Sequence, residues 1–182
     1  MADYITTHSG LHFVPTAPEA DMVRIEDIAH ALSLICRGNG HVKTFFSVGQ
    51  HCINCAREAQ ARGCTDRVVL ACLLHDAAES YMSDVPRPFK KYLDRYLEFE
   101  DTILDVIYTK YLGTTVTEEE QRQIKQIDDA LLYYDLLYLL DEPSSCAAPV
   151  LRTELSYDVR PFAEVEKEYL HMFETYAVKV RQ

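Results

Sequence analysis

No apolar run in this chain is long enough to cross a bilayer: the longest, such as Ala130 to Leu140, carry tyrosines and an aspartate and stop well short of the ~20 residues a span needs. Glycine is scarce, six in 182 residues, and no low-complexity tract or internal repeat is present, which excludes the disordered and solenoid classes. The start, Met1-Ala2-Asp3-Tyr4, lacks the basic residues and apolar stretch of an export signal, so a cytoplasmic protein is expected. Positive charge is also in short supply, with 18 Lys and Arg against 29 Asp and Glu and a formal net charge of −11. That balance disfavours long nucleic acid and anionic membrane as partners. An anionic partner must therefore be gripped locally, which points to a small phosphorylated molecule.

The six cysteines, at 36, 52, 55, 64, 72 and 146, lack the spacing of a disulfide framework. In a cytosolic chain of this length they are expected as core thiols. Cys52 and Cys55 resemble half a zinc knuckle, but Cys64 and Cys72 do not repeat the spacing.

What is present is helical periodicity between clear stop signals, over residues 1–182 as a single domain. No strand is expected. Residues 24–37 place Ile25, Ile28, Ala29, Leu32 and Ile35 on one face and end at Gly38-Asn39-Gly40. A second helix runs from Ser47 to Ala61, where Ser47 is suited to cap it. Asp66 is expected to cap a third, running to Tyr81, whose middle from Val68 to Leu74 is apolar nearly all round and hence central. Pro86 and Pro88 force a turn before a helix over Phe89 to Tyr111, and Thr117 with Glu120 makes a capping box for a helix reaching Leu140. A loop from Asp141 to Pro161 precedes a last helix to Val180. Loops of that length within a compact domain are often functional. The expectation is an all-α bundle of about six to seven helices.

Chemistry concentrates at His75-Asp76-Ala77-Ala78-Glu79, at the end of the most apolar helix. An imidazole and a carboxylate buried there need compensation for lost solvation, and a cation supplies it to both. Glu79 shares their helical face. Other elements offer His51, within a helix where a histidine has no capping role, and the acidic pair Asp128-Asp129 interrupting an apolar face. Two imidazoles and two carboxylates suit one divalent ion, with manganese, cobalt, iron, nickel, zinc and magnesium not distinguished by ligand type.

The ordered set His51, His75-Asp76, Asp128 resembles the H…HD…D signature of the HD-domain phosphohydrolases. Asp27-Ile28-Ala29-His30, Arg37, His41, Phe46-Ser47-Val48, Leu73-Leu74, Asp84 to Pro88 and Lys125 extend the likeness, over about residues 25–136, to the small bacterial and phage branch of 5′-deoxynucleotidases and deoxynucleoside triphosphohydrolases. The resemblance implies an HD-type bundle and cleavage of a phosphate ester or anhydride of a small nucleotide. It implies His51, His75, Asp76 and Asp128 as metal ligands, Glu79 and Asp84 as the water-handling acids, and Arg37 as a phosphate contact. His41, Lys43, Arg87 and Lys90 are further candidates for substrate contact. Dimers are common in that branch, so a homodimer is also an expectation. Asp135 departs from it, where relatives often carry glutamate.

Each residue has a plainer alternative. His51 suits a hydrogen-bonded core position, His75-Asp76 a helix-end pair, and either Asp128 or Asp129 the inward position. Glu79 suits an ion pair with a neighbouring helix, Asp84 a cap before Pro86, and Arg37 a helix C-terminus. His30 reads as structural. At the level of the whole protein, the alternative to an enzyme is a nucleotide-sensing module with little or no turnover.

Overall fold

Seven consecutive residues, Val68 to Leu74, are fully buried at the centre of a computed structural model that describes residues 3–181. They form most of helix α3 (Asp66–Leu74), an element apolar on every side that can be stable only with neighbours all round it. Those neighbours are α2 (Val48–Ala61), α6 (Tyr96–Leu112), α7 (Glu118–Leu140) and α8 (Phe162–Val180), with α1 (Ile25–Leu34) packed on α2 and α8. The single-turn helices α4 (Glu79–Met82) and α5 (Arg87–Lys90) complete an all-α, single-domain bundle around one continuous core. Among the described residues, six helices are nine residues or longer, in line with the six to seven expected. No helix among them is long and apolar enough to cross a membrane.

Local chemistry sets most boundaries. Ser47 caps α2 in a capping box with Gln50, and Thr117 caps α7 in one with Glu120. Gly49 lies where α1 and α8 press closest on α2: a Cβ there would sit 3.2 Å from the Leu32 carbonyl oxygen and 3.2 Å from Val165. The Tyr169 hydroxyl donates 2.7 Å to the Leu73 carbonyl, satisfying one of the carbonyls left open at the end of α3.

Five expectations are corrected. Two short strands exist, β1 (Ile5–Thr6) and β2 (His12–Phe13), paired antiparallel with Ile5 opposite Phe13; two residues each are too few for an alternating pattern to show. Phe13 is fully buried and stacks at 3.7 Å on Tyr81. The cap of α3 is Thr65, whose hydroxyl accepts from the Val68 amide, and Asp66 is the first helical residue. Helix α1 ends at Leu34, because Ile35 and Cys36 run extended against Phe46 to Val48 instead, up to a 3-10 turn that opens at Arg37: the Arg37 amide donates to the Phe46 carbonyl, and the Val48 amide to that of Ile35. The expected helix over Phe89 to Tyr111 is two, α5 and α6, separated by Arg95 in the left-handed region at φ 62°. Finally, α3 does not continue to Tyr81. From His75 the backbone tightens to i to i+3 bonding, with Ala77 donating to Leu74 and Glu79 to Asp76, before α4 begins.

Candidate metal centre

That tightened turn arranges the HD pair. In i to i+3 geometry residues three apart eclipse one another, so Asp76 and Glu79 lie on one side, over the first turn of α2 where His51 sits. The extended residues after α1 lead Arg37 into the same space, and α7 crosses beside it with Asp128 and Asp135 two turns apart.

The four atoms expected to hold a cation converge. His51 Nε2 lies 3.1 Å from Asp128 Oδ1 and 3.9 Å from Asp76 Oδ2, while His75 Nε2 lies 3.4 Å from Asp76 Oδ2 and 3.7 Å from Asp128 Oδ1. Ligand bonds of about 2.0 to 2.2 Å around one tetrahedral ion give edges of about 3.3 to 3.6 Å, in the middle of that range.

Hydrogen bonds fix which ring nitrogens face inward. His75 Nδ1 is 2.8 Å from the Cys72 carbonyl oxygen, an acceptor only, so Nδ1 carries a proton and donates. Its Nε2 is buried without a hydrogen-bond partner. His51 Nδ1 lies 2.9 Å from Asp135 Oδ2 and donates to it, which turns the Nε2 lone pair toward the carboxylates of Asp128 and Asp76. A lone pair facing carboxylate oxygens in a dry site is repulsive unless a positive charge lies between them. A proton can play that part. Burial and Arg37 both oppose charging His51, yet the nearby Cys55 and Asp135 and the hydrogen bond to Asp128 outweigh them and raise its pKa. A divalent cation meets the same need for both rings at once, and the residues fit one.

Glu79 is buried and its Oε2 has no hydrogen-bond partner. Burial, then the negative charges of Asp76 and Asp84, raises its pKa well above 4.5, against the pull of Arg37 and Lys90. Arg37 spans the centre, with Nη1 3.4 Å from Asp76 Oδ2 and Nη2 3.3 Å from Asp135 Oδ2. Asp84 is half-buried on the turn after α4. Lys90 lies 3.6 Å from Glu79 Oε1 and 2.6 Å from Glu100 Oε1. Arg87 stands at the rim, on Asp128 through one nitrogen and 2.8 Å from Asp129 Oδ1 through the other.

The choice between the two aspartates of α7 is resolved. The Asp128 side chain is 17% exposed and points inward, whereas that of Asp129 is 44% exposed and binds Lys125 and Arg87. Lys43 and His41 are not brought in. Lys43 pairs with Asp141 just past the end of α7, because its backbone is tied to the Leu139 carbonyl, and His41 lies exposed on its turn. Among the described residues neither makes a hydrogen bond or ion pair with the cluster. His30 is structural, 3.1 Å from Glu166 and stacked on His8.

Four residues carry roles that the sequence did not disclose. Asp135 orients His51 and also accepts from the Tyr157 hydroxyl at 3.0 Å; its seven-residue step from Asp128 on one helix face was the available signal. Of the six cysteines expected as core thiols, Cys52, Cys55 and Cys72 are buried, Cys36 and Cys64 half-buried, and Cys146, on the long loop, exposed; Cys52 and Cys55 flank the imidazoles. Ligand atoms of His51, Cys55 and His75 lie within 4.8 Å of one another, as do those of Cys52, His75 and Asp76. Glu58, fully buried, accepts from the backbone amides of Arg152 and Thr153 at 3.0 Å each and from Arg62 at 2.8 Å. It pins the long 141–161 loop, while Gln50 binds the Asp158 carbonyl and Tyr134 the Pro149 carbonyl. The loop thereby carries Tyr157 to Asp135, in a row of rings with Phe46 and Tyr138.

No family model matches the chain. It is 39% identical over 108 residues to the uncharacterized protein YfdR of Escherichia coli (strain K12), a match covering 59% of this chain and 58% of that protein. It is 33% identical over 113 residues to an uncharacterized protein of Rhodobacter capsulatus, covering 58% of this chain and 57% of that protein. The matched region thus spans less than two thirds of each of these relatives.

Proposed function

We propose that the chain is an HD-type metal-dependent phosphohydrolase acting on a small nucleotide, with a deoxynucleotide as the expected substrate, in a thiol-reducing compartment such as the cytoplasm. One observation carries this reading: two buried imidazoles turn their lone pairs toward two carboxylates, beside a buried glutamate with an unpartnered oxygen. His51, His75, Asp76 and Asp128 would hold one divalent cation. When bound, such an ion lowers the pKa of water and neutralises charge on a phosphoryl oxygen.

The remaining work falls to the chain's own groups. Glu79, its pKa raised by burial, is suited to accept a proton from the attacking water and return it to the leaving oxygen. Asp84, half-buried on the turn after α4, would be the second water-handling acid, and its negative charge helps raise the pKa of Glu79. Arg37 is forked toward the centre and stays charged, so it meets the non-bridging phosphoryl oxygens. Lys90 and Arg87 extend the cationic rim over which further phosphate would lie. Asp135 and Tyr157 hold the His51 ring at its angle. The net charge of −11 supports a small substrate captured by this pocket over a long polyanion.

Purified protein, tested with a panel of nucleoside mono-, di- and triphosphates under several divalent metals, is expected to release phosphate or a longer phosphate chain from some of them. Tight nucleotide binding without turnover would favour the sensing alternative. Absence of bound metal, binding and turnover together would contradict both.

A further inference from the structure

The cation centre has a sulfur side. Cys55 follows His51 by one helical turn on α2, so both side chains leave the same face toward α3. Cys55 is 1% exposed, and its Sγ lies 3.5 Å from His51 Nε2, the atom whose lone pair faces Asp128. An ion holding nitrogen at about 2.0 to 2.1 Å and sulfur at about 2.3 Å at the tetrahedral angle separates those two ligands by about 3.5 Å. The same sulfur lies within 4.8 Å of a His75 ring nitrogen, and His75 Nε2 is buried without a partner. The chemistry around these atoms is thus two imidazoles, two carboxylates and a thiol, a set no longer neutral between hard and soft cations.

We propose that Cys55 supplies a sulfur ligand to the cation held by His51 and His75, so that the centre selects a thiophilic ion of the zinc, cobalt or cadmium kind over magnesium or manganese. This rests on the reading of the cluster as a cation site, though not on any reaction performed there. As the sulfur-metal bond forms, the thiol proton leaves to solvent and no electron is transferred.

Cobalt-loaded protein tests the assignment. Wild type is expected to bind one equivalent of cobalt(II) and show a near-ultraviolet sulfur-to-cobalt charge-transfer band. Cys55→Ser is expected to lose that band and to bind zinc or cadmium at least about tenfold more weakly, with a smaller change for manganese. Cys52→Ser is expected to keep the band. Cobalt bound by wild type without a charge-transfer band overturns the sulfur ligand while leaving the cation site intact, and that result needs no variant to fold. A band that survives in Cys55→Ser overturns the assignment to Cys55. Failure of wild type to bind cobalt at all overturns both the ligand and the cation site beneath it.

Discussion

Asp135 Oδ2 and His51 Nδ1 are 2.9 Å apart, both buried, two turns of α7 away from the carboxylate of Asp128 that faces the other nitrogen of the same ring. The imidazole is held between two acids on one helix. Asp135 fixes the tautomer and the angle, and Asp128 stands where a ligand is needed. Outer partners of this kind typically account for 10- to 100-fold in metal affinity. Asp135→Asn is therefore expected to weaken zinc or cobalt binding by about that factor in a competition titration, with the helical signal in circular dichroism unchanged.

Asp128 and Asp129 place an inward and an outward carboxylate within one dipeptide. Asp128→Ala is expected to remove most bound metal, measured as equivalents per chain by elemental analysis. Asp129→Ala, which loses only exposed contacts to Lys125 and Arg87, is expected to keep its metal and to change stability by less than about 0.5 kcal/mol.

Glu79 joins a cost of burial to the proposed proton transfer. Its pKa is raised by burial and by the neighbouring carboxylates, so the folded chain holds the proton more tightly than the unfolded one. The stability this contributes is complete below pH 4.5 and is lost as pH rises through the elevated folded value. Glu79→Gln removes that loss. In chelator-treated protein the variant is expected to melt above wild type at neutral pH by about 2 to 4 °C per kcal/mol of relief, and the gap should close toward pH 4.5. Its hydrolytic rate should fall at least about 100-fold. A variant that melts lower at neutral pH would contradict the assigned burial cost.

Glu58 fastens the 141–161 loop from within. Glu58→Ala leaves the amides of Arg152 and Thr153 without their acceptor, at a cost of about 1 to 3 kcal/mol if they stay buried. Faster proteolytic cleavage within residues 141–161 and a lower melting temperature are expected, read by limited digestion and calorimetry.

What the sequence disclosed follows from strong local signals. An apolar run that ends in His75-Asp76 states its own difficulty, since charge at the end of a buried helix needs a partner. Thr117 and Glu120 satisfy each other across one turn, so that boundary needs nothing from elsewhere. The hidden features are tertiary. Nothing in Leu74 to Ala78 forbids a continuing helix, and the tightened turn there sits at the centre, where α3 ends. Lys43 and Arg37 are both cations beside the glycine-rich turn, but the pairing of Arg37 with Phe46 draws one inward while Leu139 and Asp141 hold the other outside. Cys55 looked like core because it is core; its nearness to a ring nitrogen depends on the rotation of α2.

The most direct test is to count bound metal and released phosphate together, for wild type and Asp76→Ala, across the nucleotide panel. One equivalent of divalent metal and turnover of at least one nucleotide in wild type, both lost in Asp76→Ala, is the predicted result. A wild-type protein that binds no metal, or an Asp76→Ala variant that hydrolyses nucleotide as fast as wild type, would contradict a cation-centred hydrolase.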